Sequence, residues 1–477
     1  MSKAGKHNRN GIFAGCMLLA DVLCCAVLIR GGHLTILHIT ERLELAFAVD
    51  GLTRFVLPAV MMLYTAVLFY AFEYMEHGER QNVFFTFYLI SFCALSAVCL
   101  SANLVTMYLC FELLTLSTVP LVLHELSGEA VAAGLKYLFY SMGGALMGLL
   151  AVFYVYQYTS GNGTFIMGGF LDDALLAGHE KMLLAVLMTG IIGFGTKAGM
   201  YPMHGWLPAA HPIAPAPASS LLSGIVAKAG VIAIIRLIYY SVGARLLQGT
   251  WVQKAWMTLA LLTVFMGSMM AFGEKNLKKR LAYSTISQIS YILLGLSLLD
   301  DRGLAGGLIH LMGHCAAKGC LFLVAGVFIY RLGIRDVRHL KGTGRRMPVT
   351  MVCFTIASLS LVGIPPLAGF TSKWAIASAA IAAGIPVYSL LIPVMLLISA
   401  LLTAGYLLPI TVDAFFPGDG DSGSSPSGSG ETGQTISEIS DREPGLRACI
   451  PMILLCCSVL ITGLCGSGIA AFCGFTL

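Results

Sequence analysis

Apolar stretches of about 20 residues, each long enough to cross a bilayer as a helix, recur from one end of the chain to the other. Thirteen spans are predicted, at 11–30, 53–74, 83–101, 103–123, 131–157, 183–203, 218–242, 254–272, 281–299, 303–331, 349–381, 385–408 and 449–472. No period-two alternation of barrel strands competes with them, so the expected fold class is an all-α polytopic membrane protein. Lys3, Lys6 and Arg9 precede the first span as they would in a cleaved signal. No convincing small-residue cleavage site follows, and the stretch is read as a helix. Residues 31–52 are too short and polar to span.

Composition agrees with that pattern: of 477 residues 57% are hydrophobic and only 11% charged, outside the range of soluble globular domains. Basic residues then orient the chain. With the N-terminus in the cytoplasm, the inner segments hold Lys3, Lys6, Arg9, Arg80, Lys275, Lys278, Lys279, Arg280, Arg335, Arg338, Lys341, Arg345 and Arg346. The outer ones hold Arg42, Lys181, Arg245, Lys254 and Arg302. That asymmetry fits the positive-inside rule, an odd number of helices and an outer C-terminus. It also accounts for the net charge of +5 without a nucleic-acid partner.

The pattern divides the chain into N-terminal helices (1–82), a first half (83–242), a connecting helix (243–272), a second half (273–411), a polar linker (412–446) and a C-terminal helix (447–477). The linker, from PGDGDSGSSPSGSGETG at 417, is rich in Gly, Ser and Asp and has nothing to bury. Its formal G-x-G-x-x-G at Gly428, Gly430 and Gly433 has no strand before it and no helix after it, and reads as chance. The 14 cysteines include no C-x-x-C pair, and most lie inside apolar spans as small packing residues. No metal or cluster site is expected in this chain.

Ionisable residues inside the spans carry the chemistry. Glu112, Lys136, Lys197, Lys228, Arg236, His310, His314, Lys318 and Lys373 all fall within apolar windows. A charge at membrane depth costs several kcal/mol, so such groups usually face a partner or water inside a bundle. Each also has a plainer reading. Arg236 and Lys136 lie close enough to helix ends to snorkel, and His310, His314 and Lys318 could form a structural hydrogen-bond ladder. Their spacing of four nevertheless puts all three on one helix stripe, as a relay requires. Pro202 follows Lys197 by five residues, and Pro365 with Pro366 precedes Lys373 by seven to eight. A proline removes a backbone donor and clashes with the preceding turn, so both lysines are expected beside a broken helix. Such paired interruptions point to an internal repeat with ion sites at the breaks, where freed carbonyls and water solvate a proton. A buried lysine suits this, because moving a carboxylate toward or away from it switches it between holding and releasing a proton. His204 and His211 either line the approach to Lys197 or cap the break.

The runs KAGMYPMHGWLPAAHPIAPAPASSLLSGIVAKAGVIAIIR (197–236), KNLKKRLAYSTISQISYI (275–292), HLMGHCAAKGCLFLVAG (310–326) and GIPPLAGFTSKW (363–374) resemble one family. It comprises the antiporter-like proton-pumping subunits of respiratory complex I, Mrp-type cation/proton antiporters and membrane-bound energy-converting hydrogenases. The resemblance covers most of the chain from Asp50 to Lys373, in the right order. It implies two inverted five-helix repeats, each with a discontinuous helix. Glu112, in NLVTMYLCFELLTLS, looks like the glutamate that pairs with the lysine of the first broken helix, here Lys197. Lys228 looks like the central relay lysine, His310, His314 and Lys318 like the second-half relay, and Lys373 like the lysine of the second broken helix. The chain departs from the family in showing thirteen helices where fourteen are common, and in carrying Phe111 where a tryptophan usually precedes the glutamate. It also lacks the lateral helix of the largest complex I subunit, which argues against that particular subunit.

The resemblance implies a proton-translocating subunit of a redox-driven complex in the cytoplasmic membrane, without a cofactor of its own. Hydrophilic partner subunits would carry iron–sulfur clusters, and other hydrophobic antiporter-like subunits would sit beside it. A redox-free Mrp-type sodium/proton antiporter is the alternative. A solute permease is a third reading, for which lysines are the wrong lining.

Overall fold

In a hydrocarbon layer the backbone has to satisfy its own polar groups, which is why the apolar windows become helices. The computed structural model describes residues 3–40, 43–76, 78–161, 163–416 and 443–475, with side chains from residue 8 onward. Its helices are α1 (Lys3–Arg30), α2 (Gly51–Tyr74), α3 (Gln81–Leu100), α4 (Leu104–Val122), α5 (Gly128–Tyr156), α6 (Glu180–Ala198), α7 (Leu207–Ile213), α8 (Ala216–Val242), α9 (Trp251–Gly273), α10 (Leu277–Ser297), α11 (Asp301–Leu332), α12 (Pro348–Val362), α13 (Ala368–Ala382), α14 (Tyr388–Phe415) and α15 (Leu446–Phe472). Four shorter helical turns lie in the connections. Among the described residues, 11 of these helices are long and apolar enough to cross a membrane. The two remaining predicted spans are α10 and the pair α12/α13. The expected linker falls mostly outside the described residues, as do the glycines of the chance phosphate-loop match.

α10, expected at 281–299, is less apolar than the other spans because it carries Ser284, Thr285, Ser287, Gln288 and Ser290. Of its 21 residues 19 are buried, so these polar side chains lie inside the bundle. Every residue of α8 is buried as well. The axis of the molecule is therefore α8, α10 and α11.

One element departs from the all-helical expectation. Between α1 and α2, β1 (His33–His38) pairs antiparallel with β2 (Glu44–Ala48), with a bulge between Thr35 and Leu37. The pair sits over the start of α4: Asn103 Nδ2 donates to the Glu44 carbonyl at 2.9 Å, and Ala46 N donates to Thr106 Oγ1 at 3.0 Å. The alternation L-E-L-A-F-A signals such a strand in retrospect, but it is too short to stand out beside the spans.

Two units of five consecutive spans share one arrangement, α3, α4, α5, α6/α7, α8 and then α9, α10, α11, α12/α13, α14. In each, the first helix packs on the second, the second on the third and the third on the broken one. Five is odd, so the second unit starts from the opposite side of the membrane and the two are inverted.

Prolines mark the breaks, but glycines end the helices. α6 stops at Gly199, whose φ of +78° is left-handed, and α12 stops at Gly363, with φ +100°. Only glycine holds that conformation without Cβ strain, and the prolines two or three residues later prevent the helix from resuming.

Arg236, expected near a helix end, does not snorkel. Its side chain is 1% exposed and forms a bidentate pair with Asp50, the N-cap of α2. It also donates to Thr53 Oγ1 at 3.3 Å and to the Cys99 carbonyl at 3.2 Å, and the Phe165 and Tyr240 rings flank it, each 4.7 Å away. The pair fastens the far end of α8 to α2 and α3, which fixes the face that α8 turns inward.

Candidate functional site

Ending a helix at membrane depth leaves its last carbonyls without partners, and the two breaks settle theirs differently. At the first, Gly199 N and Met200 N turn back to the carbonyls of Thr196 and Gly195 at 3.1 and 2.9 Å, and the Trp206 indole donates to Thr196 O at 2.8 Å. Lys197 lies in this last turn, where the helix dipole favours a cation. Its ammonium donates to Tyr137 OH at 2.6 Å and Thr115 Oγ1 at 3.0 Å. It also lies 4.6 Å from the Tyr137 ring centroid and 5.7 Å from that of Phe111. Tyr137 OH bonds in turn to Thr118 Oγ1 at 2.7 Å.

Glu112, on α4 with Thr115, is half-buried and within electrostatic reach of Lys197. The two form no ion pair within 4.0 Å, and Glu112 Oε1 has no hydrogen-bond partner. The pairing that the resemblance implies is thus open here. Hydroxyls and aromatic faces hold the lysine instead.

At the second break the ammonium of Lys373 takes the orphan carbonyls itself. It donates to Leu361 O at 2.6 Å and Val362 O at 3.0 Å, the last carbonyls of α12, and lies 4.9 Å from the Tyr291 ring centroid. His310 Nδ1 meets Ser372 Oγ, one residue before Lys373, at 2.8 Å. The His310 and His314 rings stack at 5.9 Å on α11, so the spacing of four does place them on one stripe. Lys318 follows, donating to the Leu281 carbonyl of α10 at 3.0 Å.

Lys228 connects the halves. Fully buried on α8, it donates to the carbonyl of Ser223, within a π-helical turn spanning Leu222–Val226. π-Turns shift the backbone ladder by one residue and recur at functional positions. Ser223 Oγ bonds to Thr285 Oγ1 at 2.7 Å, and Thr285 Oγ1 donates at 2.8 Å to the same Leu281 carbonyl that accepts from Lys318. Toward the first half, α6 lies against Gly230, where a Cβ would fall 2.3 Å from Phe194 O and 3.0 Å from Lys197 Cβ. The lack of a side chain there is what lets the helix of Lys197 lie against the helix of Lys228.

Of the accessory residues, His211 joins the row. It is fully buried on α7, stacked 4.7 Å from Phe322, with neither ring nitrogen partnered and Lys228, Lys278 and Lys318 all within electrostatic reach. Lys136 is exposed, and His204 is half-buried beside Tyr201, so neither enters the buried row. His310 Nε2, both nitrogens of His314 and both side-chain polar atoms of Gln288 likewise lack partners. Orphan polar atoms are rare in native cores and are served by water or by a moving proton.

Lys278 corrects the sequence reading. Counted among the residues of an inner loop, it is 5% exposed and donates to the Ala214 carbonyl at 2.7 Å, just past α7. Its basic neighbours in KNLKKR disguised it. Tyr137 carries no charge to mark it in the sequence beside Lys136; one residue is about 100° of helix rotation, which turns one outward and the other inward. Asp21, at mid-span in α1, is a further intramembrane carboxylate: Oδ2 accepts from Thr65 Oγ1 at 2.6 Å, and Oδ1 is without a partner.

Residues 101–403 match the family described as NADH:quinone oxidoreductase/Mrp antiporter, TM, and residues 38–85 match NADH-Ubiquinone oxidoreductase (complex I), chain 5 N-terminus. The chain is 30% identical to NADH-quinone oxidoreductase subunit N of Desulforudis audaxviator, over 78% of this chain and 72% of that one. It is 32% identical to Hydrogenase-4 component B of Escherichia coli over 70% of this chain, but spans only 51% of that longer protein. Its fold aligns with a chain of the Mrp complex from Dietzia sp. at a TM-score of 0.80 and 22% identity, covering 98% of this chain and 91% of that one. A chain of the membrane-bound sulfane sulfur reductase, an archaeal respiratory membrane complex, aligns at 0.76 and 24% identity, covering 95% and 72%. The protein is a member of the antiporter-like membrane subunit family shared by NADH:quinone oxidoreductases and Mrp antiporters.

Proposed function

We propose that this chain is the ion-translocating subunit of a multisubunit, redox-driven complex, and that protons are the ions it moves. The observation that carries this is the buried row itself. Lys197, Lys228, Lys318 and Lys373 are all at least 92% buried at membrane depth, held by carbonyls, hydroxyls and rings, with Glu112 the carboxylate beside them.

Like charges brought together in a low dielectric repel, so a proton arriving on one lysine disfavours a proton on its neighbour. Glu112 is the movable counter-charge for Lys197. His211, His314 and His310, each with at least one free ring nitrogen, accept and donate protons between Lys228 and the second break. At the break, the α12 carbonyls hold the ammonium of Lys373 until charge elsewhere in the row expels its proton.

The chain supplies no redox chemistry in this reading. Iron–sulfur clusters and the electron-transfer reaction belong to hydrophilic partner subunits, with other hydrophobic subunits alongside in the cytoplasmic membrane and the N-terminus on the cytoplasmic side. Relatives named as subunits of a quinone oxidoreductase and a hydrogenase support this over a redox-free antiporter. Purification of the tagged protein from its native membrane in mild detergent, with mass spectrometry of what accompanies it, tests the reading. Co-purifying iron–sulfur subunits are expected; a set of small hydrophobic subunits alone would replace the redox pump by an Mrp-type sodium/proton exchanger.

A further inference from the structure

Away from the row, a cavity of about 550 Å³ opens between α9 and α14, lined on its apolar flanks by Leu262, Phe265, Leu391 and Met395. Both helices are candidate membrane spans, and Leu262, Phe265 and Leu391 are 44%, 40% and 37% exposed, so the groove opens on the outer surface of the bundle. Lys254, exposed and at the N-terminal end of α9, lies at its polar end with Thr258 and Tyr388. The Tyr388 hydroxyl bonds to Thr258 Oγ1 at 2.9 Å and donates to the Lys254 carbonyl at 3.3 Å, which ties the two helices together at that end. Lys254 has no carboxylate within 4.0 Å among the described residues. The exposed Trp251, one turn before it, marks the level of the interface.

Dimensions decide what fits. Lys254 and Phe265 are 11 positions apart (265 − 254), roughly 16 Å along the axis at about 1.5 Å per residue. The lining is apolar over that length and carries a single cation, Lys254, at one end. A single hydrocarbon chain fits, with a negative group at the lysine end.

We propose that this groove binds a phospholipid with an anionic headgroup, its phosphate on the Lys254 ammonium and one acyl chain along Leu262, Phe265 and Met395. The site reaches the interior. Ser268 lies one turn beyond Phe265 and Ser399 one turn beyond Met395, and their hydroxyls meet at 2.5 Å. Ser399 Oγ accepts from Tyr291 OH at 2.6 Å, and the Tyr291 ring is the one beside Lys373. A chain seated in the groove sets the spacing of α9 and α14 directly outside that bridge.

Binding is measurable on the purified full-length chain without any transport assay, so the outcome is separate from that of the function proposed above. Delipidated protein in neutral detergent is titrated with phosphatidylglycerol and, in parallel, with phosphatidylcholine, and bound lipid is counted by native mass spectrometry. One phosphatidylglycerol is expected to bind in preference. Lys254→Gln should reduce that preference about fivefold, as one surface cation is worth about that much toward anionic lipid. Lys254→Arg should keep it, and Leu262→Trp, which fills the groove, should lose both lipids. Equal binding of the two lipids in every variant would overturn the proposal. So would a photo-reactive residue at Phe265 that, in native membranes, cross-links to a protein subunit and not to lipid.

Discussion

The ion pair at the end of α8 allows a quantitative test of how the bundle is held. Arg236→Met removes the guanidinium and leaves the Asp50 carboxylate without its partner. Breaking a buried pair from one side costs about 3–5 kcal/mol. Asp50 is 31% exposed and keeps its hydrogen bond from Thr53 N at 2.9 Å, so water relieves part of the loss and about 2–3 kcal/mol is expected. Asp50→Asn retains the helix cap, because asparagine caps as well as aspartate, but strands a guanidinium that is 1% exposed. Its cost should sit at the upper end, about 4–5 kcal/mol. With both partners neutral the double variant has no buried charge left, so its loss should fall short of the sum by about 2 kcal/mol. Unfolding of the purified chain in mixed micelles by sodium dodecyl sulfate titration measures all three. Single losses that add to within about 0.5 kcal/mol would show that the two side chains act independently and refute the reasoning.

Further outcomes follow from other contacts. Tyr137→Phe keeps the ring near Lys197 but deletes the acceptor at 2.6 Å; a hydrogen bond to a charged group is worth about 1.5–3 kcal/mol, so vesicle proton uptake should fall roughly tenfold or more. Glu443 accepts from Val349 N at 2.6 Å, Thr350 N at 3.3 Å and Thr350 Oγ1 at 2.7 Å at the start of α12; Glu443→Ala should cost about 1 kcal/mol of helix stability, seen as faster amide exchange at Val349 and Thr350. Asp336 is held down to about 2 by the Arg338 guanidinium, so any stabilisation it adds is complete above the usual aspartate range and disappears only as the pH falls toward 2. The Arg338 side chain is 62% exposed, so the pair is screened by water, and Arg338→Gln should leave the melting temperature unchanged between pH 5 and 8.

Much of this architecture was legible in the residues, for physical reasons that also explain the gaps. Span positions follow from hydrocarbon thickness, and the breaks from a glycine followed two or three residues later by proline, since proline alone, as at Pro58 or Pro393, leaves a helix continuous. Lys228 and Lys373 stood out because a lone lysine in an apolar run has few alternatives. Lys278 did not, since a buried cation within a cluster of surface cations leaves no trace in composition. The carbonyl ligands of Lys373 and Lys318 were equally hidden: backbone acceptors carry no residue signature, and which ones are free depends on where a helix stops. Tyr137 and the serine and threonine face of α10 needed the packing of neighbouring helices before their hydroxyls acquired partners.

The central claim is that ions cross along the buried row, and the most direct measurement is proton translocation by the intact native complex in inverted membrane vesicles, with Lys228 replaced by alanine. The same vesicles report the electron-transfer rate and, by immunoblot, the amount of assembled subunit. The account predicts normal assembly with translocation by this subunit lost, because Lys228 lies on α8 where the two halves of the row meet. Full translocation at unchanged assembly would contradict it.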